Sequence, residues 1–466
     1  LPILAESPTW APWFDYTGVQ LTWILVGYGF VAAVLPVWLL LAPRDYLSTF
    51  LKIGTIVGLA IGILIMRPTL TMPGLTKFVD GTGPVWTGNL FPFLFITIAC
   101  GAVSGFHALI SSGTTPKMLA NESQACFIGY GGMLMESFVA IMALVAACII
   151  DPGVYFAMNS PMAVLAPAGT TDVVASAAQV VSGWGFSITP DTLHQIASEV
   201  GEQSIISRAG GAPTLAVGMA YILHGSLGGL MDVSFWYHFA ILFEALFILT
   251  AVDAGTRAAR FMLQDLLGVI SPGLKKTSSL PANLLATALC VLAWGYFLHQ
   301  GVVDPLGGIN TLWPLFGIAN QMLAGMALML CAVVLFKMKR QRYAWVALLP
   351  TSWLLICTLT AGWQKSFSPD TKVGFLAIAN KFQAMIDSGN IPPQYTESQL
   401  AQLVFNNRLD AGLTIFFMIV VVVLALFSIK TALAALKEDK PTAKETPYEP
   451  MPENLDAIET QAKGAH

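Results

Sequence analysis

One sixteen-residue stretch, from Gly101 to Pro116, concentrates the residues that could do chemistry in this chain. It holds three glycines, five hydroxyl side chains and one histidine at the end of an apolar block. Such a run weakens a continuous helix, and in transporters broken helices place half-helix ends and free carbonyls at a substrate site within the membrane. The hydroxyls could bind an ion or a carboxylate, and the imidazole could carry a proton. The candidate substrate-binding residues of this stretch are Ser104, Gly105, His107, Ser111, Ser112, Thr114 and Thr115.

Two amides and two carboxyl groups inside apolar blocks extend the candidate site. Asn320 and Gln321 follow a stretch with a proline and a glycine that predicts a kink near residue 317. Glu136 and Glu244 lie near the centres of their blocks. An ionised carboxylate in lipid costs at least about 2–3 kcal/mol, so we expect both to face the bundle interior as proton-coupling residues. The alternatives are structural: a neutral acid can make one interhelical hydrogen bond, and amides and small residues can serve helix packing.

The composition indicates which elements must position these residues. The chain has 466 residues, of which 55% are hydrophobic and 11% charged, whereas a soluble chain carries about 25% charged residues. The apolar residues form blocks long enough to span a bilayer core of about 30 Å. Lipid cannot satisfy open backbone groups, so we expect an all-α polytopic membrane protein. A soluble enzyme, a nucleic-acid binder and a secreted disulfide scaffold are excluded.

The apolar blocks predict nine to ten transmembrane segments. A tenth block, 213–231, is short and rich in glycine, which favours a re-entrant or amphipathic segment over a full crossing. The nine predicted spans are 19–42, 46–66, 89–110, 124–149, 234–253, 280–300, 312–336, 343–363 and 410–430.

The orientation follows from basic residues in short loops. The segment 336–342 carries four of them and is therefore placed in the cytoplasm. The C-terminal tail then lies on the same side, and its charges and prolines predict disorder. The resulting organisation is an external stretch at 1–18, a transmembrane domain at 19–436 with external loops near 150–212 and 364–409, and a cytoplasmic tail at 437–466.

Other residues and the absence of several motifs reduce the range of possible functions. The sequence has no phosphate-binding loop, no HExxH, no Cys-x-x-Cys and no Gly-x-Ser-x-Gly. We therefore predict no enzyme, no catalytic residue, no cofactor and no bound metal, with H⁺ or Na⁺ as the coupling ion. The polar residues His238, His299, Asp253 and Arg257, at the ends of predicted spans, are expected to anchor the membrane interface.

Five stretches of the chain carry a likeness to a known family. They are Glu6–Trp13, Leu35–Phe50, Ala102–Lys117, Asp253–Arg260 and Lys444–Glu453. Together they resemble the carbon starvation protein A family of enteric bacteria. The resemblance implies peptide uptake across the inner membrane during carbon starvation, with pyruvate transport as a related activity. It also implies an inverted-repeat fold similar to the amino acid–polyamine–organocation superfamily.

The resemblance also bears on the start of the chain. Family members carry a further block of transmembrane helices before the point that matches Leu1. That block includes a glycine-rich, histidine-containing broken segment, which we pair with 101–116 as the second half of a substrate site. The chain begins with Leu1 and not with Met. We therefore expect a fragment in which one repeat is incomplete, so that transport by this chain alone is in question.

Three functions stay open at this point. The first is a secondary transporter of small peptides, and the second is a pyruvate or small-carboxylate proton symporter of the same family. A pyruvate site needs one anion pocket, whereas a peptide site needs partners for an amine and a carboxylate. The third is a membrane sensor or structural subunit. The sequence shows no output domain, which argues against this third function. The expected partners are the substrate and the lipid bilayer, without nucleic acid, and the oligomeric state is not predicted.

Overall fold

All regular structure in the described part of the chain is helical, as predicted. The computed structural model describes residues 9–13, 15–167, 169–277, 279–304, 308–393 and 395–444. The α-helices in chain order are α1 (Gly18–Val34), α2 (Leu41–Met66), α3 (Leu90–Thr97), α4 (Ala99–Ala102), α5 (Gly105–Gly113), α6 (Gln124–Cys148), α7 (Pro152–Asn159), α8 (Met162–Leu165), α9 (Val173–Gly183), α10 (Pro190–Val200), α11 (Ala212–Ser226), α12 (Val233–Ile270), α13 (Leu280–Val303), α14 (Gly308–Lys337), α15 (Trp345–Phe367), α16 (Phe375–Asp387) and α17 (Glu397–Lys437).

Seven of the helices in the described ranges are long and apolar enough to cross a bilayer. They are α2, α6, α12, α13, α14, α15 and α17. The chain is therefore a multi-pass helical membrane protein. The inverted repeat stays a prediction.

The first predicted span is wrong in its extent. The block 19–42 divides into α1, which ends at Val34, and the first residues of α2. Leu35 is extended, with φ −62° and ψ 149°. It precedes Pro36, and a residue before proline is driven out of the helical region. With 17 residues, α1 is about 25 Å long.

Two helices run well beyond their predicted spans. Helix α12 has 38 residues and α17 has 41. The first turns of α17 lie in the stretch predicted as an external loop, where Leu400 and Leu403 pack with Phe382 of α16 in a small apolar cluster. A polar sequence there did not end the helix because its apolar positions have a packing partner.

The region 150–231 is more ordered than predicted. It forms α7 to α11, where an external loop and a short segment were expected. Met158, Leu193 and Met219 are fully buried in the largest apolar cluster. A Cβ at Gly218 of α11 would lie 2.1 Å from the carbonyl oxygen of Ala146 in α6, so these helices are in close contact. With 15 residues α11 is about 22 Å long, too short for an ordinary crossing, and its burial contradicts an amphipathic surface helix.

The basic segment between α14 and α15 lies beside the C-terminal end of α17. Lys339 Nζ donates a hydrogen bond of 2.6 Å to the carbonyl oxygen of Ala435. These two regions therefore share one end of the bundle. The disorder predicted for the tail falls largely on residues 445–466, which lie outside the described residues, as do residues 1–8 of the N-terminal stretch.

Candidate functional site

The predicted span 89–110 is not one helix but three, and the break lies at the glycine-rich stretch. Helix α3 ends at Thr97, α4 covers Ala99–Ala102, and α5 begins at Gly105. Ser104 is extended and caps α5, its Oγ accepting a hydrogen bond of 3.3 Å from the backbone N–H of His107. Serine favours this cap over a helix interior because its hydroxyl satisfies an amide that has no partner in the helix. The predicted helix break is confirmed.

Gly105 brings the start of α5 into contact with α14. A Cβ at this position would lie 2.2 Å from the carbonyl oxygen of Asn320 and 2.8 Å from the backbone nitrogen of Ala324. Both atoms belong to backbone and cannot rotate away. Glycine is therefore required for this approach, as close helix packing in membranes generally requires small residues.

The two amides of α14 bind both sides of the break. The backbone N–H of Phe106 donates a 2.7 Å hydrogen bond to Asn320 Oδ1. On the other side, Gln321 Nε2 donates to the carbonyl oxygen of Phe95 in α3. Asn320 and Gln321 are only 6% and 2% exposed. They thus hold two backbone groups near the helix ends, as the alternative of helix packing predicts, and their assignment as substrate ligands stays a prediction.

Each of these amides also keeps one polar atom without a partner. Asn320 Nδ2 and Gln321 Oε1 are buried and have no hydrogen-bond partner among the described residues. A buried donor or acceptor in this state costs about 1–3 kcal/mol. A ligand with both functions, such as a peptide bond, could satisfy this donor and this acceptor once a movement of neighbouring groups exposes them.

The hydroxyls of α5 do not converge on the break. Each donates to a carbonyl of its own helix: Ser111 to Ala108, Ser112 to Leu109, and Thr114 and Thr115 to Ile110, at 3.0–3.4 Å. Hydroxyls in helices often bond to the preceding turn in this way. Their assignment as substrate ligands stays a prediction.

His107 and Glu136, predicted separately, lie together. His107 Nδ1 is 3.5 Å from Glu136 Oε2, and the two side chains are 52% and 41% exposed. The expectation that Glu136 faces the bundle interior is therefore wrong for the described residues, because this part of α6 has an open face. Cys100 joins the pair, and one ligand atom from each of the three residues lies within 4.8 Å of the others. One thiol, one imidazole and one carboxylate form a donor set that suits a zinc-class ion, and the imidazole and carboxylate could equally pass a proton.

Glu244 is half-buried on α12 and does not belong to this cluster. It has no hydrogen-bond or ion-pair partner in the described part of the chain. Its coupling role stays a prediction.

The interior of the bundle holds charges that were expected at the interface. Asp253 and Arg257 are 1% and 3% exposed, so their prediction as interface anchors is wrong. Asp253 accepts hydrogen bonds from Arg44 and Tyr28. Arg257 donates to the carbonyl oxygens of Ala32 and Leu35 at 2.6 and 2.8 Å. Charged residues near a span end were read as anchors, but α12 continues and carries them into the packed interior.

A large cavity lies next to the break. Its volume is about 750 Å³, within the 300–1,000 Å³ typical of ligand pockets. We call it the Lys365 cavity. Its lining includes Thr97 at the end of α3, several aromatic side chains, and polar groups from the 150–212 and 364–409 regions. The lining residues used below are Trp86, Thr97, Tyr155, Asn159, Trp184, Trp313, Lys365, Lys372, Phe375 and Asn407.

Lys365 is the functional candidate that the sequence did not single out. It lies in the last turn of α15, where a lysine usually extends to the membrane interface. The structure instead buries it, at 6% exposure, beside the cavity. Only its surroundings, which come from distant parts of the chain, distinguish it from an interface lysine.

Comparison with known proteins relates the sequence to one family. Residues 2–361 match the sequence model of the family described as carbon starvation protein CstA. The chain is 94% identical over 463 residues to the peptide transporter CstA of Escherichia coli, covering 99% of this chain and 66% of the relative. It is 58% identical to the pyruvate/proton symporter BtsT of Escherichia coli, over 97% of this chain and 65% of the relative. It is 50% identical to the peptide transporter CstA of Mycobacterium tuberculosis, over 94% of this chain and 59% of the relative.

The chain thus spans less than two thirds of the length of these three relatives. No solved structure matches it. The family match covers most of the chain, and the relatives are similar throughout it. The chain therefore belongs to the carbon starvation protein CstA family.

Proposed function

We propose that the chain acts in a secondary transporter that takes up small peptides across the bacterial inner membrane during carbon starvation. The observation that carries the proposal is the broken helix α3–α5, held by Asn320 and Gln321 next to the Lys365 cavity. Broken helices at mid-membrane form substrate sites in secondary transporters. The names of the relatives, two of which are peptide transporters, support the same reading.

The chemistry of the break suits a peptide. Asn320 Nδ2 can donate to a peptide carbonyl, and Gln321 Oε1 can accept from a peptide N–H or an amine. Trp184 and Trp313 of the cavity lining offer apolar surface for side chains of varied shape. These contacts need no catalytic step, in keeping with relatives that are named transporters.

Coupling to protons is the second part of the proposal. The pair of His107 and Glu136 next to the break can exchange a proton with the site. Glu244 is the other candidate, and Na⁺ remains the alternative ion. We place the C-terminal end of α17 in the cytoplasm, because the basic segment 336–342 lies beside it.

A pyruvate or small-carboxylate symporter is the second candidate function. The observation in its favour is the charge of the cavity: Lys365 and Lys372 line it, and the lining contains no Asp or Glu among the described residues. The relative named as a pyruvate/proton symporter supports it as well. The 94% identical relative is a named peptide transporter, which favours the first candidate.

Uptake into proteoliposomes tests the proposal. If this chain holds a complete site, its vesicles accumulate labelled alanyl-alanine under an inward proton gradient and lose the accumulation when a protonophore dissipates the gradient. Excess pyruvate should compete weakly if peptides are the substrate and strongly if small carboxylates are. A matched sample with the longer relative of Escherichia coli separates an effect of chain length from a lack of activity. Failure of both folded proteins to accumulate the dipeptide would contradict the proposal.

A further inference from the structure

Lys365 is a buried cation without a counter-ion among the described residues. None of the described residues forms a hydrogen bond or an ion pair within 4.0 Å with its ammonium group. Asp370 is an acidic neighbour in sequence, but it lies beyond ion-pair distance and its carboxylate accepts a 2.8 Å hydrogen bond from the backbone N–H of Lys372. An isolated charge away from water is costly, and ionisable residues inside membrane segments mark substrate or ion sites by default.

Three aromatic rings surround the ammonium group. Nζ lies 5.3 Å from the ring centres of Trp86 and Phe93, and 5.9 Å from that of Phe375. Aromatic faces attract a cation, and each such contact is worth about 0.5–2 kcal/mol. The rings come from two parts of the chain, the segment around α3 and the start of α16. They hold the lysine in place without neutralising its charge.

The cage is also sterically fixed. A Cβ at Gly88, which has φ +123°, would lie 2.4 Å from the ring of Phe93. A side chain at this position would therefore displace a wall of the cage. Close packing against Gly88 thus fixes the position of the Phe93 ring.

The cavity beside the cage offers further donors and no competing carboxylate among its described lining residues. Lys372 supplies a second positive charge, and Asn159 and Asn407 supply amides. Burial raises the pKa of the Tyr155 hydroxyl, which stays protonated and able to donate a hydrogen bond. A lysine backed by aromatic rings and facing such a lining can bind an anion as a point charge.

We infer that Lys365 binds the carboxylate group of the transported molecule, with Thr97 marking the path from this anchor to the helix break. The inference rests on the proposed function and deepens it, because the C-terminal carboxylate of a peptide and the carboxylate of pyruvate share this chemistry. The carboxylate neutralises the caged ammonium group. The rest of a peptide then lies along the aromatic lining of the cavity.

Binding to the purified chain in detergent, followed by calorimetry, tests this assignment. The probes are alanyl-alanine, its C-terminal amide, and pyruvate. We expect alanyl-alanine to bind at least tenfold more tightly than the amide. Lys365→Met should remove that preference, Lys365→Arg should keep most of it, and Lys381→Met, at an exposed lysine outside the cavity lining, should leave it unchanged.

The outcomes separate the carboxylate site from peptide uptake. Equal binding of alanyl-alanine and its amide to the wild-type chain would overturn the role of Lys365 and leave peptide uptake standing; this comparison needs no variant. An unchanged preference in Lys365→Met would do the same. Pyruvate binding that depends on Lys365, with neither dipeptide bound, would keep the carboxylate site and overturn peptide uptake. Binding of none of the three probes by chain that melts cooperatively would overturn both.

Discussion

Two places in this bundle end a helix inside packed protein, and they satisfy the exposed backbone in different ways. At the C-terminal end of α1, the guanidinium groups of Arg257 and Arg260 donate to the carbonyl oxygens of residues 32, 33 and 35. At the break between α3 and α5, the neutral amides of Asn320 and Gln321 serve the same purpose. Both sets of side chains are buried.

The difference lies in charge and in surroundings. The end of α1 is held by two cations, Arg257 and Arg260, on the same helix as Asp253, which pairs with Arg44. The Nε atoms of both arginines also lack a partner among the described residues. The side chains that bond to the break are neutral, and Thr97 at the break lines the Lys365 cavity. One amide donor and one amide acceptor there have no partner among the described residues. Charged side chains that bond to a helix end stabilise the fold. Neutral side chains at a helix break next to a cavity can exchange their contacts within the protein for contacts with a substrate at small electrostatic cost.

Substitution at Gly105 should have the largest effect. Its Cβ would overlap the backbone of α14, so Gly105→Leu should abolish uptake and lower the free energy of unfolding by about 3 kcal/mol, the upper end of the usual cost of overpacking. Gly101→Ala is the matched control, because no atom lies within 4 Å of a Cβ there. Thermal melting and dipeptide uptake are the measurements. Normal uptake by Gly105→Leu would mean that the break is not packed as described.

Removal of Arg257 should mainly reduce stability. Arg257→Met leaves two buried carbonyls without this donor, which should cost about 1–3 kcal/mol for each. Arg342→Met, at an exposed arginine, is the control. The melting temperature should fall while the dipeptide affinity of the remaining folded protein stays the same. A changed dipeptide affinity of Arg257→Met at normal stability would contradict the account in which the end of α1 serves stability and the helix break serves binding.

Asn320→Ala should have a smaller effect on stability and a clear effect on uptake. It removes the acceptor of the Phe106 N–H, at about 0.5–2 kcal/mol, together with the free donor of the site. Asn283→Ala is the control, because that asparagine also accepts a hydrogen bond through its side-chain oxygen but lies on α13. Equal losses of uptake in both variants would reduce the role of Asn320 to helix packing.

Neutral replacements of the two acids should have the smallest structural effect. Glu136→Gln and Glu244→Gln keep shape but cannot take up or release a proton. We expect each to lose proton-driven accumulation of dipeptide while dipeptide exchange without a gradient and the melting temperature remain near wild type. Wild-type accumulation in both variants would remove the coupling role. Loss in Glu136→Gln alone would assign coupling to the pair with His107.

The sequence predicted the helix break but not which contacts satisfy the backbone groups at the break. Glycine and serine at 101–105 disfavour a helix on local grounds, which needs no knowledge of neighbours. Asn320 and Gln321 were found because amides are rare in apolar blocks, but their partners lie more than 200 residues away. Lys365 and Arg257 were missed as interior residues because burial of a long cationic side chain depends on which helices pack around it. The hydroxyl groups at 111–115 were predicted as substrate ligands from their residue type alone. Residue type does not specify whether a hydroxyl bonds to a carbonyl of the preceding helical turn.

Substrate protection at Thr97 tests the central claim, that the cavity beside the break holds the transported molecule. A Thr97→Cys variant in a Cys100→Ser background is labelled with a charged maleimide, and the mass of the peptide with residue 97 gives the extent of labelling. Ser388→Cys, at an exposed position after α16, is the control. The account predicts that Cys at position 97 reacts in the free protein and that alanyl-alanine protects it, while labelling at position 388 stays constant. Labelling at position 97 that is unaffected by saturating alanyl-alanine would contradict it.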